Sequence, residues 1–538
     1  MIDKARDQFD YVIVGAGSSG SALAHRLSQD PALQVLLIES GPPDRNPLIR
    51  MPRGYARVIG DPAYSWTYPV KRAGGLNEPE THVRGRTLGG SSAVNGMVYM
   101  RGLPEDYDSW SIPGWGWKDF LAAFRQIERH EFGADDTRGG DGPLRISARP
   151  LRLPLIDAVL AAGEELGAPT RRDINAQSGE GLGYTVRNIW RGRRQSAAEA
   201  FLKPIRGRRT LHILTNATVD RIAFEGRRAT GVVIRGAEGA RLVRAGREVV
   251  LAAGAIGTPK LLHLSGVGPG ERLRSFGLPV ILDAPEVGRN LSDHRVLSMK
   301  FRVTGGSHNL EFSGWRLYRN VLQQTLLGGG PMSHPAFEAG GYVRTEPGLA
   351  SPDARLLIGP FTVDGSARRL SMEREPGLTI GGYQMRPQSR GYIELASPDP
   401  DAAPIIHTNA LSHPEDVRSS IGMVRYIRRL AAARALAPYA PREIAIGEER
   451  TSDEAILDAW NRQSGSGMHI SGTCRMGSDA QSVVDTQLRV RGLEGLRIVD
   501  ISVLPDVISG NTNAPAMALG WMAAAVIAQA PIAAAQAA

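Results

Sequence analysis

Cysteine is nearly absent: Cys474 is the one thiol in 538 residues. That excludes an intrachain disulfide and any zinc site of Cys/His spacing, so no metal is expected. Aromatic residues make up 6% of the chain, and nowhere do they interleave with a Lys/Arg block. Nucleic acid is therefore not an expected partner, despite a formal net charge of +9. The excess charge reads as a solvated basic surface; an anionic membrane or an anionic substrate is the sharper alternative. No run of about twenty apolar residues occurs, so no membrane span is expected. The polar stretch from Met1 to Gln8 leads straight into a strand pattern, which predicts no signal peptide and a cytoplasmic protein. The length exceeds what one core supports and predicts two or more domains.

The chain is organised around its first strand and turn. An apolar run over 9–14 ends in Gly15-Ala16-Gly17-Ser18-Ser19-Gly20, and a helix pattern follows to about Gln29. Gly15 permits the sharp turn, Gly17 lets backbone approach a pyrophosphate, and Gly20 lets the helix lie close to the strand. Ser18 and Ser19 open the helix, whose free N–H groups favour phosphate. A second buried run, Val35 to Ile38, ends in Glu39, placed to accept from a ribose hydroxyl. These residues predict a dinucleotide site without choosing between NAD and FAD.

From Gly41 to about Glu80 the pattern is a long excursion over a ligand. The Gly85–Gly102 block carries four small residues at 89–92, suited to backbone lying against a flat or charged ligand. Helices are predicted over 117–129, 156–166, 260–264, 418–433 and 514–530. Runs at 211–214, 219–224 and 231–234 predict a small antiparallel sheet, and 248–251 a buried strand entering a glycine turn. Residues from about 300 to 450 read as a separate substrate-facing domain, and the alanine-rich 532–538 as a frayed tail. Near the C-terminus, Met468 to Gly477 and Leu496 to Pro515 hold the remaining chemistry, with Pro515 suited to a first helical turn.

Four blocks together resemble the glucose–methanol–choline (GMC) oxidoreductases: Gly15–Gly20 with Glu39, Gly85–Gly102, Gly254–Gly268, and His469–Gly477 with Asp500–Pro515. The resemblance implies FAD rather than NAD. It implies an α/β fold: a Rossmann-like FAD-binding domain over 1–150, 190–300 and 462–538, and an α+β substrate-binding domain with an antiparallel sheet over 151–189 and 301–461. It places Arg86, Gly90, Ser91, Asn95, Gly96, Met97 and Val98 against the flavin and its phosphates, Val219 against the adenine, and Asp500, Ile501, Asn511 and Thr512 beside the cofactor. Val94 stands where some members carry the histidine that attaches FAD, so non-covalent FAD is expected. His469 matches the catalytic histidine and Asn511 the second active-site residue. Ile470 departs from the proline common in bacterial members, and Met468 is a candidate pocket wall.

The implied reaction is oxidation of a primary alcohol to an aldehyde, with onward oxidation to the acid an option. FAD supplies hydride acceptance, His469 the base, and Asn511 orientation of the hydroxyl. The partners expected are a small-molecule alcohol and oxygen or another electron acceptor. A fatty acid photodecarboxylase and a non-catalytic flavoprotein are the alternatives. The other histidines, His294 and His407 among them, read as structural, Arg193 and Arg194 as solvated, and Cys474 as packed.

Overall fold

The computed structural model describes residues 7–71, 80–176, 179–236, 239–364 and 371–529. The predicted tail at 532–538 and residues 72–79 of the excursion lie outside them.

Two sheets organise the chain. The first begins with β1 (Gln8–Val14), which runs through a glycine turn into α1 (Ser18–Leu27) and then β2 (Val35–Ile38). All four residues of β2 are buried, as expected of a strand covered on both faces. The strand Leu211–Leu214 pairs parallel with β2 outside β1, so it belongs to this sheet and not to the predicted antiparallel one. A parallel strand is added there because Ile213 meets Leu37 in register, continuing the row to Ile13.

The antiparallel part is a meander of Thr218–Glu225, Arg228–Gly236 and Gly239–Leu251. Its last strand is thirteen residues long and serves two purposes. Its first half closes the meander; its second half lies parallel to β1, and at its end parallel also to Leu496–Ile498. The C-terminal segment is thus stitched beside the N-terminal strand.

Glycines set the close approaches. Gly15 has φ +107°, and a Cβ there would sit 2.4 Å from the Ala252 carbonyl oxygen. A Cβ on Gly20 would lie 2.0 Å from the Gly15 carbonyl oxygen, so the expected tight helix–strand contact is present.

The helix predicted at 260–264 starts six residues earlier and spans Gly254–Leu264 with Pro259 inside it. Proline removes the donor that would satisfy the Ala255 carbonyl. The buried Thr473 hydroxyl donates to that carbonyl at 2.7 Å instead, so the proline is tolerated. The same bond fastens the His469-containing segment to this helix.

The second sheet orders Arg442–Ala445, Arg295–Arg302, Gly377–Gln384, Ala354–Gly359, Ala339–Val343 and Gly181–Tyr184, every pair antiparallel, with Gly465–Ser466 added beside Arg295–Val296. Helices Pro154–Glu165, Pro414–Ala431 and Asp453–Gln463 share its hydrophobic core. This core is distinct from the one beneath the first sheet. The seam expected at 300/301 cuts strand Arg295–Arg302, and the one at 461/462 cuts helix Asp453–Gln463. In this structure the change of sheet falls before Arg295. No helix among the described residues is long and apolar enough to cross a membrane.

Candidate active site

A cavity of about 620 Å³ is lined by residues from both sheets. Gly15, Gly17, Ser18, Ser19 and Glu39 form one end, with Val219 and Lys260 nearby on the wall. Gly90, packed against Gly17, and Ser91, Val94, Asn95, Gly96, Met97 and Val98 continue the lining. Met468, His469, Asp500, Ile501, Asn511 and Thr512 complete the lining, so segments almost 500 residues apart in sequence meet there.

Two expected residues lie elsewhere. Gly20 sits behind the turn as a packing residue. Arg86 is outside the lining: its guanidinium stacks 4.6 Å from the centre of the Trp66 ring, and Trp66 is the residue that faces the cavity.

The nucleotide end is made of backbone. A Cβ on Gly17 would meet nothing within 4 Å, whereas one on Gly90 (φ +53°) would lie 2.7 Å from the Gly17 Cα. The two glycine segments therefore pack against each other and leave a backbone-lined hollow. The N-terminus of α1 reaches it, and so does that of the long helix Asn513–Gln529; the Ser18 hydroxyl donates to Asn513 Oδ1 at 2.7 Å, joining the two. Glu39 accepts from the Ala16 and Gly41 amides, and burial pushes its carboxyl up to about 7. Two positive helix ends, exposed amides and an acceptor at the strand end fit a dinucleotide.

Asp500 lines the cavity and also has a local task. Its carboxylate accepts from the Gly254 amide, the Thr258 hydroxyl and the Ser502 amide, fixing the start of the Gly254–Leu264 helix. Burial raises its pKa. Asn95 Oδ1 accepts from the Met97 amide and from Arg194. Arg194 is therefore not solvated. Its guanidinium is buried, donating also to the Ile49 and Ser92 carbonyls, and it clamps the Gly90–Asn95 turn from behind.

The His469 end is made of side chains. Met468, directly before it, has φ +61° and is held by Ser466 Oγ on its amide and by the Arg84 guanidinium on its carbonyl. The His469 amide donates to Asp293 at 2.8 Å. The imidazole Nδ1 lies 2.9 Å from His294 Nδ1, and Nε2 lies 2.9 Å from Asn511 Nδ2.

The ends of this chain of bonds fix its direction. His294 Nε2 faces the Met385 carbonyl, which only accepts, so Nε2 carries the proton and Nδ1 of neutral His294 accepts. His469 then holds its proton on Nδ1 and a free pair on Nε2. From the other end, Arg355 donates to Asn511 Oδ1 at 2.6 Å, which turns the amide nitrogen towards His469. Arginine has no acceptor, so both ends give the same tautomer. Burial, reinforced by His294, Arg355 and Arg84, holds the His469 pKa well below its ordinary value, and burial brings His294 down to about 3.

His294 is thus buried against His469 and is not merely structural. Arg355 also donates to the Tyr383 hydroxyl, and the Tyr383 ring stacks on His294 at 4.2 Å between centres. Sequence reasoning missed Arg84, Asp293, Arg355 and Tyr383, which come from four separate strands or turns. The one local signal was the Asp293-His294 pair in a polar turn. Cys474 is buried as expected, and burial pushes its thiol up.

Residues 9–296 and 387–520 match the models of a family described as GMC oxidoreductase. The chain is 38% identical over 536 residues to a protein named oxygen-dependent choline dehydrogenase from Sinorhizobium fredii, covering 96% of this chain and 95% of that one. It is 37% identical to a mitochondrial choline dehydrogenase of Mus musculus, covering 97% and 90%. A solved structure of pyridoxine 4-oxidase from Mesorbium loti superposes with a TM-score of 0.88 at 32% identity, covering 97% of this chain and all of that one.

Proposed function

The chain belongs to the GMC oxidoreductases, FAD-dependent enzymes acting on the CH–OH group of donors, and from that premise we propose that it oxidises a neutral primary alcohol to the aldehyde. What carries the reading is the His469–Asn511 contact in the cavity wall, with its donor and acceptor roles dictated from behind. FAD, when bound, accepts the hydride. The first glycine turn and Glu39 would hold its adenosine and pyrophosphate, and the Gly90–Val98 segment its flavin. Val94 offers no group for covalent attachment, so the cofactor is held by contacts alone.

An alcohol hydroxyl has one proton to give and lone pairs to receive. Placed between the two side chains it gives its proton to His469 Nε2 and accepts from Asn511 Nδ2, replacing the 2.9 Å bond between them. With its pKa held well below the ordinary histidine value, His469 serves as the base in its neutral form, without first losing a proton. The resulting imidazolium keeps its Nδ1 proton and donates it in a hydrogen bond to His294 Nδ1, whose own orientation is held by the Met385 carbonyl. Asn511 does not take protons; it steadies the oxygen while charge develops there.

Beyond the nucleotide-end residues the lining includes Tyr68, Val296, Ala336, Phe337, Leu357 and Met468, and Arg84 is bonded to the Met468 carbonyl. Of the lining carboxylates, Glu39 accepts from backbone amides, Asp401 is paired with Arg235, which also holds Asp220 next to Val219, and Asp500 is engaged by three donors. A quaternary ammonium such as choline would find no free lining carboxylate there and could be met only by the ring faces of Tyr68 and Phe337 beside the Arg84 guanidinium, so we read this wall as favouring a neutral alcohol with an apolar substituent. Whether oxygen or another acceptor reoxidises the flavin is decided by running the same alcohols in air and, without air, with an artificial acceptor.

The test is anaerobic mixing of the FAD-loaded protein with a panel of primary alcohols. Aromatic or aliphatic alcohols should bleach the flavin faster than choline. His469→Ala should retain FAD and slow bleaching by about 10²–10⁴-fold. An unchanged rate in that variant removes His469 from the reaction.

A further inference from the structure

The helix Gly314–Leu327 is built inside out. Its buried residues are polar: Asn320, whose amide donates to Glu311, and Gln324, whose amide donates to the Gly192 carbonyl. Its outward face is apolar. Trp315, Tyr318, Leu322 and Leu326 follow one another at spacings of three or four residues, 67%, 79%, 59% and 71% exposed. Leu327, at 79%, and Leu310, at 42%, widen the patch. Most of the large hydrophobic side chains exposed among the described residues are in this one segment. A helix that turns amides inward and leucines outward is suited to an apolar medium on its outer side.

The charge around the patch narrows the occupant. Arg316 and Arg319 lie on the helix, and the hairpin tip holding exposed Arg191 and Arg193 packs against its C-terminal end through Gly192 and Gly328. Across 191–193 and 310–327 there are four arginines and one carboxylate, Glu311, which pairs with Arg316 and Arg319, leaving the patch with net positive charge. A second copy of this surface would bring four arginines against four. Anionic lipid complements them, and Trp and Tyr at the start of an Arg-flanked apolar helix suit the headgroup boundary.

We propose that Gly314–Leu327 docks the protein on an anionic bilayer surface, lying in the interface and not crossing it. The same segment continues into Ala336 and Phe337 of the cavity wall, so docking would set that wall close to the lipid.

The test uses the full-length, FAD-loaded protein sedimented at low salt with phosphatidylcholine vesicles, with and without about one-third phosphatidylglycerol. The unaltered protein should sediment with the anionic vesicles, and raised salt should weaken this. The triple variant Trp315→Ser, Leu322→Ser, Leu326→Ser should bind at least about tenfold less while oxidising alcohol in solution as before. Arg191→Gln with Arg193→Gln should lower binding to anionic vesicles several-fold and leave binding to neutral ones unchanged. Brominated lipid should quench a tryptophan signal that is missing in Trp315→Phe, a reading that does not depend on the triple variant. Protein that stays in the supernatant overturns the proposal, as does a triple variant that binds fully. A dimer that the triple variant dissociates, with vesicles left free, assigns the face to a second copy and also overturns it.

Discussion

At the nucleotide end of the cavity the ligand-facing groups are backbone: Gly15, Gly17, Gly90 and the starts of two helices. At the His469 end they are side chains, each held by another side chain: His294 behind His469, Arg355 behind Asn511, Tyr383 against both supports. The first end is specified by what must be absent, a Cβ. The second is specified by what must be present, a donor or an acceptor at each position. Damage should therefore separate into lost cofactor at one end and lost rate with cofactor retained at the other.

The largest separation is expected at Gly90. Gly90→Val puts a branched side chain at φ +53° against Gly17, and FAD affinity should fall by about 10²-fold, read by titrating apoprotein with FAD. Gly17→Ala sharpens the point, since its methyl enters open cavity: apoprotein stability should hold while FAD affinity drops about tenfold.

At the other end, Arg355→Met releases Asn511 Oδ1 and the Tyr383 hydroxyl together. The freed amide can turn its oxygen to His469, and kcat/KM should fall about 10–100-fold with FAD content unchanged. Loss of bound FAD in that variant would break the comparison. A smaller effect is expected from His294→Phe, which leaves the His469 Nδ1 proton without its acceptor. Flavin reduction should slow about tenfold, with part of the rate restored by His294→Asn.

The nucleotide end was legible because its determinants are neighbours in sequence. A strand, three glycines at fixed spacing and an acidic residue at the next strand end carry their own geometry. Leu211–Leu214 was misplaced because nothing local distinguishes a parallel edge strand from a meander strand; the partner decides. His469 and Asn511 were found through the resemblance, while their supports were not. Arg355 lies in a buried strand whose neighbours are all apolar, and only the antiparallel pairing with Gly377–Gln384 brings it to Tyr383. Arg193 and Arg194 read alike as solvated, yet alternation across a two-residue strand sends one outward and buries the other. The inverted helix Gly314–Leu327 escaped notice because periodicity gives an apolar face without saying which side the core is on.

The account rests on His469 being neutral with its free pair on Nε2. The direct measurement is ¹⁵N NMR of the FAD-loaded protein with labelled histidine, following the resonances that disappear in His469→Gln. Burial and the nearby cations should keep Nδ1 protonated and Nε2 bare from neutral pH to below the ordinary histidine value of about 6.5. A proton on Nε2, or an imidazolium already formed near pH 7, would contradict it.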